Sequence, residues 1–308
     1  MNNQKNVSKQ SSIRDWIGAA RPRTLLLATS SVVLGTGLAL HDGHVSVLTF
    51  ILSWFLAISI QILANFANDL GDYEKGTDIT GNRQGPTRAM QSGKMSRKTM
   101  LHGIYFMVLV SVIIGVLDVI FSLENTKGQL ILLGIGLLCI LAALFYTMGK
   151  HAYGYKGFGD FFAFLFFGPV AVLGTYYLHI GTLLFQPILP AIGLGLISTM
   201  ILNVNNMRDI ENDKKTNKIT VAARMGLQKA RIYHAILTIG SCCTFLGYSL
   251  LYASAPWYRY LYASVFLFFL SILYHLFNQK ERKLDIFLGQ TAIAGLLLVV
   301  IFSICINI

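Results

Sequence analysis

Nine long apolar runs alternate with polar segments along this chain, over roughly residues 24 to 41, 46 to 68, 100 to 121, 129 to 147, 160 to 179, 186 to 206, 232 to 254, 256 to 277 and 284 to 306. Each is close to the ~20 residues that an α-helix needs to cross the hydrocarbon core of a bilayer. The pattern predicts an all-α, polytopic membrane protein of nine transmembrane helices. Residues 24–308 then form a single membrane-embedded domain, preceded by a polar cytoplasmic segment over residues 1–23. That segment is not an expected cleavable signal peptide, since the first apolar run is itself long enough to span.

Composition agrees: 54% of the 308 residues are hydrophobic and 13% charged, with a mean hydropathy of +0.59, whereas an ordinary soluble domain is about a quarter charged. The basic residues test the helix count independently, because Lys and Arg collect in cytoplasmic loops. With the N-terminus inside, the inner segments hold 23 of the 25, leaving Lys127 and Arg259 outside. A wrong number of spans would scramble this alternation. The net charge of +11 is therefore the topology signal, and nucleic-acid binding is not read from it. Four cysteines, Cys139, Cys242, Cys243 and Cys305, fall inside apolar runs without metal-ligand spacing, and the seven histidines are scattered.

Two polar strings stand where an apolar run meets an inner loop: Asn68-Asp69-Leu70-Gly71-Asp72, and Asn205 through Asp213. Ionisable residues near the membrane are costly and mark function by default. Asn68 and Asp72 are four apart, as are Asn205, Asp209 and Asp213, so each set lies along one helix face. Two such faces turned together make an acidic, oxygen-rich pocket, which suits Mg²⁺ shared with a phosphorylated substrate. The two inner loops, near 69 to 99 and 207 to 231, are long and polar, as functional loops tend to be. The Asn-x-x-x-Asp echo between helices 2 and 6 is what a duplicated four-helix unit would leave. Asp118 and Glu124 fall on the far side and are expected to be solvated.

These strings resemble the two Asp-rich motifs of the UbiA superfamily of intramembrane aromatic prenyltransferases. Asn68, Asp69 and Asp72 match the first, and Asp209 and Asp213 the second; the first motif's third Asp would fall on Gly76, and the nearest acid is Asp78. Within the superfamily, the stretches from Gln61 to Asp69, Lys75 to Asp78, Gly85 to Arg88, Tyr153 to Asp160 and Asn205 to Asp209 are most similar to the menaquinone branch, as is Ala20-Arg21-Pro22-Arg23-Thr24. The resemblance implies a UbiA-like bundle with a lipid-open central cavity, in a bacterial cytoplasmic membrane, with the C-terminus outside and the active site facing the cytoplasm. It implies transfer of a polyprenyl chain from polyprenyl diphosphate to 1,4-dihydroxy-2-naphthoate, with loss of diphosphate and carbon dioxide.

Mg²⁺ would be held by Asn68, Asp72, Asp209 and Asp213, the three acids being the catalytic set, with Asn65, Asp69, Asn205 and Asp78 supporting them. Lys75, Arg88, Arg208, Lys218 and Arg23, with Arg21 as a further possibility, would hold diphosphate. Tyr153, Lys156 and Asp160 are candidates for contact with the aromatic acid, although Asp160 also suits an N-terminal helix cap. Helix 5 is rich in aromatics (Phe158, Phe161, Phe162, Phe164, Phe166, Phe167, Tyr176, Tyr177), whose alternatives are packing and contact with a cation or ring. Three other functions compete: a superfamily enzyme acting on 4-hydroxybenzoate, an ion-coupled transporter and a non-catalytic prenyl-lipid binder. A transporter would place its charges near the bilayer midplane on broken helices, whereas these acids sit at inner helix ends.

Overall fold

The computed structural model describes residues 11–78, 84–253, 256–279 and 283–308; of the basic residues counted above, Lys5, Lys9, Arg83, Lys280 and Arg282 lie outside these. Among the described residues nine helices are long and apolar enough to cross a membrane. They are α2 (Pro22–His41), α3 (Val47–Glu74), α4 (Arg97–Ser122), α5 (Thr126–Phe145), the composite span Gly159–Ile180, α8 (Ile188–Arg208), α11 (Leu227–Tyr252), the composite span Trp257–Asn278 and α13 (Asp285–Asn307). The composite spans are α6 (Gly159–Leu165) joined through a π-turn to α7 (Ala171–Ile180), and a 3₁₀ turn leading into α12 (Ser264–Asn278). The π-turn contains Pro169, which lacks an N–H and crowds the preceding turn, so the i→i−4 ladder must widen there.

Three short helices were not read from the pattern: α1 (Ile13–Ala20), α9 (Ile210–Lys215) and α10 (Val221–Met225). α1 begins with a complete capping box, the Ser12 side chain accepting from Asp15 N–H and the Asp15 carboxylate from Ser12 N–H. Its Trp16 packs on Phe66 with ring centroids 5.2 Å apart, which ties the segment to α3. The Ser12-x-x-Asp15 spacing was the available signal. α1 and α2 join at Arg21, held at φ +51°, a conformation that costs a non-glycine residue. Pro22, at the first position of α2, and a hydrogen bond from the Thr24 hydroxyl to Arg21 C=O hold the corner.

Two large packed clusters dominate the core, with a small third one at Val119, Leu123 and Leu178. Of the large pair, one joins α2, α7, α8, α11, α12 and α13; the other joins α1, α3, α4, α5 and the loop around Met90 and Met95. Helices approach closely where glycines remove side chains: a Cβ on Gly168 would lie 2.5 Å from Ala191 C=O and 2.6 Å from Gly195 Cα, so the π-turn seats directly on α8. The outward faces carry exposed large apolar residues such as Leu109, Ile113, Leu138 and Leu267, as lipid contact requires. A cavity of about 510 Å³ lies between the clusters, walled by α2, α3, α4, α5, the α6–α7 span and α8. Val112 and Leu137 line it while remaining 43% and 55% exposed, so the chamber reaches the lipid-facing surface at α4 and α5.

Asp118 is not solvated. It is buried in α4, its carboxylate accepting from the Ser53 hydroxyl at 2.7 Å and the Ser122 hydroxyl at 3.1 Å, so polar partners on α3 and α4 satisfy it inside the bundle.

Candidate active site

The first acidic string lies entirely within α3, which runs to Glu74 rather than stopping near 68. Asn68, Asp69 and Asp72 are therefore held by a rigid helix, and all three are buried. Gly71 lets this turn approach the segment after α5: a Cβ there would lie 2.6 to 2.7 Å from Thr147 side-chain and backbone atoms. The second string departs from the expected unbroken face. α8 ends at Arg208, Asp209 leaves helical geometry at φ −105°, ψ 14°, and α9 restarts at Ile210. Asp213 N–H still donates to Asp209 C=O at 2.9 Å, so the two acids stay one turn apart across the break.

Asp72 is the centre of the site. Its Oδ2 accepts from Arg88 Nη1 at 2.6 Å and Lys218 Nζ at 3.2 Å; its Oδ1 accepts from Lys218 Nζ at 3.3 Å and the Tyr155 hydroxyl at 2.7 Å. Arg88 also reaches Asp78 Oδ2 at 2.8 Å, which places Asp78 one side chain away from Asp72. Lys218 arrives from the loop after α9, its N–H donating to Asp213 C=O at 2.8 Å. Through it the two strings, far apart in sequence, meet at one place. The loop after α3 is fastened to the second string as well: Asn212 Nδ2 donates to Thr77 C=O at 3.0 Å and Gln84 N–H to Asp209 Oδ1 at 3.2 Å.

Charge is unevenly balanced around this junction. Burial works against the Arg88 guanidinium's charge, but Asp72, Asp78 and Asp69 outweigh it and raise its pKa further, so it stays cationic. Burial, reinforced by the Asp72 charge, raises the Tyr155 phenol, which remains a donor; Thr77 then donates to its oxygen at 2.5 Å. Burial pushes the Asp213 carboxyl up to about 7, with Lys218 opposing and Asp209 and Asp72 adding to the rise. Among the described residues, Asp69 Oδ1 is a buried acceptor without a hydrogen-bond donor, and Arg88 Nε a buried donor without an acceptor.

Other expected site residues are distributed unevenly. Arg208 is buried and committed to the protein: it pairs with Asp209 (Nη2–Oδ2 2.6 Å), donates to Asn205 Oδ1 at 2.7 Å and donates to Asp285 on α13. Lys75 donates to Gly149 C=O at 2.8 Å and lies 4.9 Å over the Tyr155 ring, at the rim. Arg23 lines the cavity with a largely exposed side chain, 3.5 Å from Asp285. Arg21 reaches the site directly, Nη2 donating to Asn68 Oδ1 at 3.1 Å. Asn65 supports it, donating to Ala20 C=O and Thr24 Oγ1.

On the opposite wall Tyr153 lines the cavity, its ring 4.2 Å from Phe162 and 5.4 Å from Tyr146, with its hydroxyl anchored on Ala142 C=O. Lys156, by contrast, is exposed and does not line the cavity. Asp160 makes no side-chain cap for α6; it is buried, and its Oδ2 has no hydrogen-bond partner among the described residues. Of the helix 5 aromatics, Phe162, Phe166 and Phe167 face the cavity, Phe158 and Phe161 are exposed, and Tyr176 is buried, donating to Asp42. The sequence reasoning missed Tyr155, although it falls in the Tyr153-to-Asp160 stretch, because its role depends on where a 3₁₀ turn at Tyr153–Lys156 aims it.

Residues 28–302 match the UbiA prenyltransferase family. Over 306 residues the chain is 36% identical to the 1,4-dihydroxy-2-naphthoate octaprenyltransferase of Haemophilus influenzae, covering 98% of each chain. It is 38% identical over 242 residues to the protein of the same name from Escherichia coli, covering 79% of this chain and 78% of that one. The fold is also that of a UbiA homolog from Archaeoglobus fulgidus bound to DMAPP and Mg²⁺, with a TM-score of 0.64 at 15% identity, covering 95% of this chain and 99% of that one.

Proposed function

The chain belongs to the UbiA prenyltransferase family, and from that premise we propose that it transfers a polyprenyl chain from its diphosphate to 1,4-dihydroxy-2-naphthoate, releasing diphosphate and carbon dioxide in menaquinone synthesis. The observation that carries this reading is the Asp72–Arg88–Lys218 junction, with its leftover Arg88 Nε donor, at one end of a deep apolar chamber. Relatives carrying the naphthoate name, one of them matched over 98% of its length and another over 78%, favour this acceptor over 4-hydroxybenzoate.

The donor chemistry suits a hard divalent cation: Asn68, Asp72, Asp209 and Asp213 offer oxygen ligands, and Asp69 Oδ1 is an acceptor in want of a donor. Among the described residues no three acids are yet grouped around one ion position, so these side chains would draw together on the cation. Mg²⁺ bound there would neutralise charge on the departing phosphate oxygens. Arg88 and Lys218, preorganised and water-poor, bind the same oxygens from the protein side, where such donors are worth most. Arg21 and Arg23 extend that positive wall toward the cavity. Arg208 and Lys75 shape the rim rather than touch the substrate.

Apolar walls do the rest. The allylic C–O bond breaks with its electron pair on diphosphate, and the cation that remains must meet the ring before water. Tyr146, Tyr153 and Phe162 offer π-faces to it. When the ring carbon bearing the carboxylate makes the new C–C bond, loss of carbon dioxide returns an electron pair to the ring, and rearomatisation there needs no protein base. The tail extends between α4 and α5 toward lipid. With nine spans and the basic-loop pattern, the N-terminus and this site face the cytoplasm and the C-terminus the opposite side. Purified protein supplied with a prenyl diphosphate and Mg²⁺ should form prenylated product from 1,4-dihydroxy-2-naphthoate; product from 4-hydroxybenzoate alone would overturn the assignment.

A further inference from the structure

Two turns above Asn68 on the same face of α3, Gln61 ends a hydrogen-bond chain whose directions are all determined. The Thr24 hydroxyl donates to Arg21 C=O at 2.9 Å, so its oxygen is left as an acceptor, and it receives Asn65 Nδ2 at 2.9 Å and Gln61 Nε2 at 3.3 Å. Asn65 Nδ2 also donates to Ala20 C=O at 2.7 Å, which fixes Asn65 Oδ1 as the acceptor of Gln61 Nε2 at 3.2 Å. The Gln61 carboxamide therefore cannot be flipped without setting acceptor against acceptor. Its Oε1 is left over: buried, on a side chain only 8% exposed, with no donor among the described residues. A buried acceptor without a donor is uncommon and calls for an explanation.

We propose that Gln61 Oε1 accepts a hydrogen bond from the ring hydroxyl of the aromatic acceptor, and so selects acceptors that carry a hydroxyl para to the one beside the carboxylate. This rests on the reading that the substrate is a 1,4-dihydroxy-2-naphthoate. Gln61 lines the chamber that also holds Tyr146, Tyr153 and Phe162. Seven residues separate it from Asn68, about 10 Å along the helix, so a ring at its level lies beyond the diphosphate junction on the apolar side, where the allylic carbon emerges. The chemistry of the atom sets which part of the acid it meets. A carbonyl oxygen repels a carboxylate and takes only a donor; the hydroxyl beside the carboxylate is already engaged with it, which leaves the hydroxyl at position 4.

A site that presents a buried polar atom to a substrate hydroxyl discriminates strongly against analogues lacking it, because the atom is then desolvated for nothing. The test pairs a protein deletion with a ligand deletion. With 1-hydroxy-2-naphthoate as competitive inhibitor and a short prenyl diphosphate as donor, the unmodified protein should bind the analogue about ten to a hundred times more weakly than 1,4-dihydroxy-2-naphthoate. Gln61→Met, which keeps length but removes the acceptor, should raise KM for the dihydroxy acid by about the same factor, leave the analogue's inhibition constant within about threefold, and leave KM for the prenyl diphosphate unchanged. Equal weakening of both acids would show a purely structural Gln61, and no weakening of either would show that Oε1 holds a water; each overturns the proposal. Should the variant not fold, equal binding of the two acids by the unmodified protein overturns it alone. Absence of any product from the dihydroxy acid would instead remove the functional reading beneath it.

Discussion

Removing one charge from Asp72 tests whether the junction is chemistry or scaffolding. Asp72→Asn keeps the shape but strands the cations that now share its carboxylate. Arg88 retains Asp78 at 2.8 Å, whereas the only carboxylate within ion-pairing distance of Lys218 among the described pairs is Asp72. Both partners are buried, Lys218 to 7% and Asp72 to 0% exposure, and breaking a buried pair from one side costs about 3–5 kcal/mol. At about 2–4 °C per kcal/mol for chains of moderate size, the detergent-solubilised variant should melt roughly 6–20 °C lower. Adding Lys218→Met removes the stranded ammonium and should return most of that loss. Turnover should behave differently: Asp72→Asn should lower prenyl transfer by about 10²–10³-fold or more, and the double variant should stay that low, since both groups act on the leaving diphosphate. Melting by intrinsic fluorescence beside product formation from prenyl diphosphate and 1,4-dihydroxy-2-naphthoate separates the two effects. A double variant that regains turnover within about tenfold of the unmodified protein would refute the reasoning, because the pair would then serve only to hold α3 against the loop after α9.

Three further outcomes follow from the same geometry. The Asp213 carboxyl keeps its proton up to about 7, against 3.8 for a free one, so Mg²⁺ must displace that proton at lower pH: the Mg²⁺ concentration for half-maximal rate should rise about tenfold per unit as pH falls below 7, and the metal-free protein should lose stability as pH rises from about 4 through 7, both flat in Asp213→Asn. A Gly71→Ala change sets a methyl 2.6 to 2.7 Å from Thr147, so it should shift α3 beside Asp72 and depress turnover at least tenfold, roughly the cost of a small misplacement, while Gly134→Ala, in open space on α5, should not. A reporter fused after Ile308 should be active only in its extracytoplasmic form, and one fused at the N-terminus only in its cytoplasmic form; the reverse would refute the orientation.

The nine spans were legible because hydrophobic length is a local property: each run is apolar enough to cross whatever its neighbours do. The two acidic strings stood out for a related reason: Asn68 and Asp72 share a face of α3 by spacing alone, whereas the same spacing in Asp209 and Asp213 did not reveal that the helix breaks at Asp209, just after Arg208. Charged residues near lipid are conspicuous in any order. What the chain pattern could not supply was pairing. That Arg88 and Lys218 converge on Asp72 while Arg208 turns to Asp285 depends on α8 packing against α13 and on two irregular loops, and nothing local distinguishes the three cations. The break at Asp209, the aim of Tyr155 and the burial of Asp118 were likewise decided by neighbours remote in sequence. Gln61 makes the division clear: its place on the site face of α3 follows from its number, but its unsatisfied carbonyl exists only because Thr24 and Asn65, brought over by the corner at Arg21, have fixed the other end of the amide.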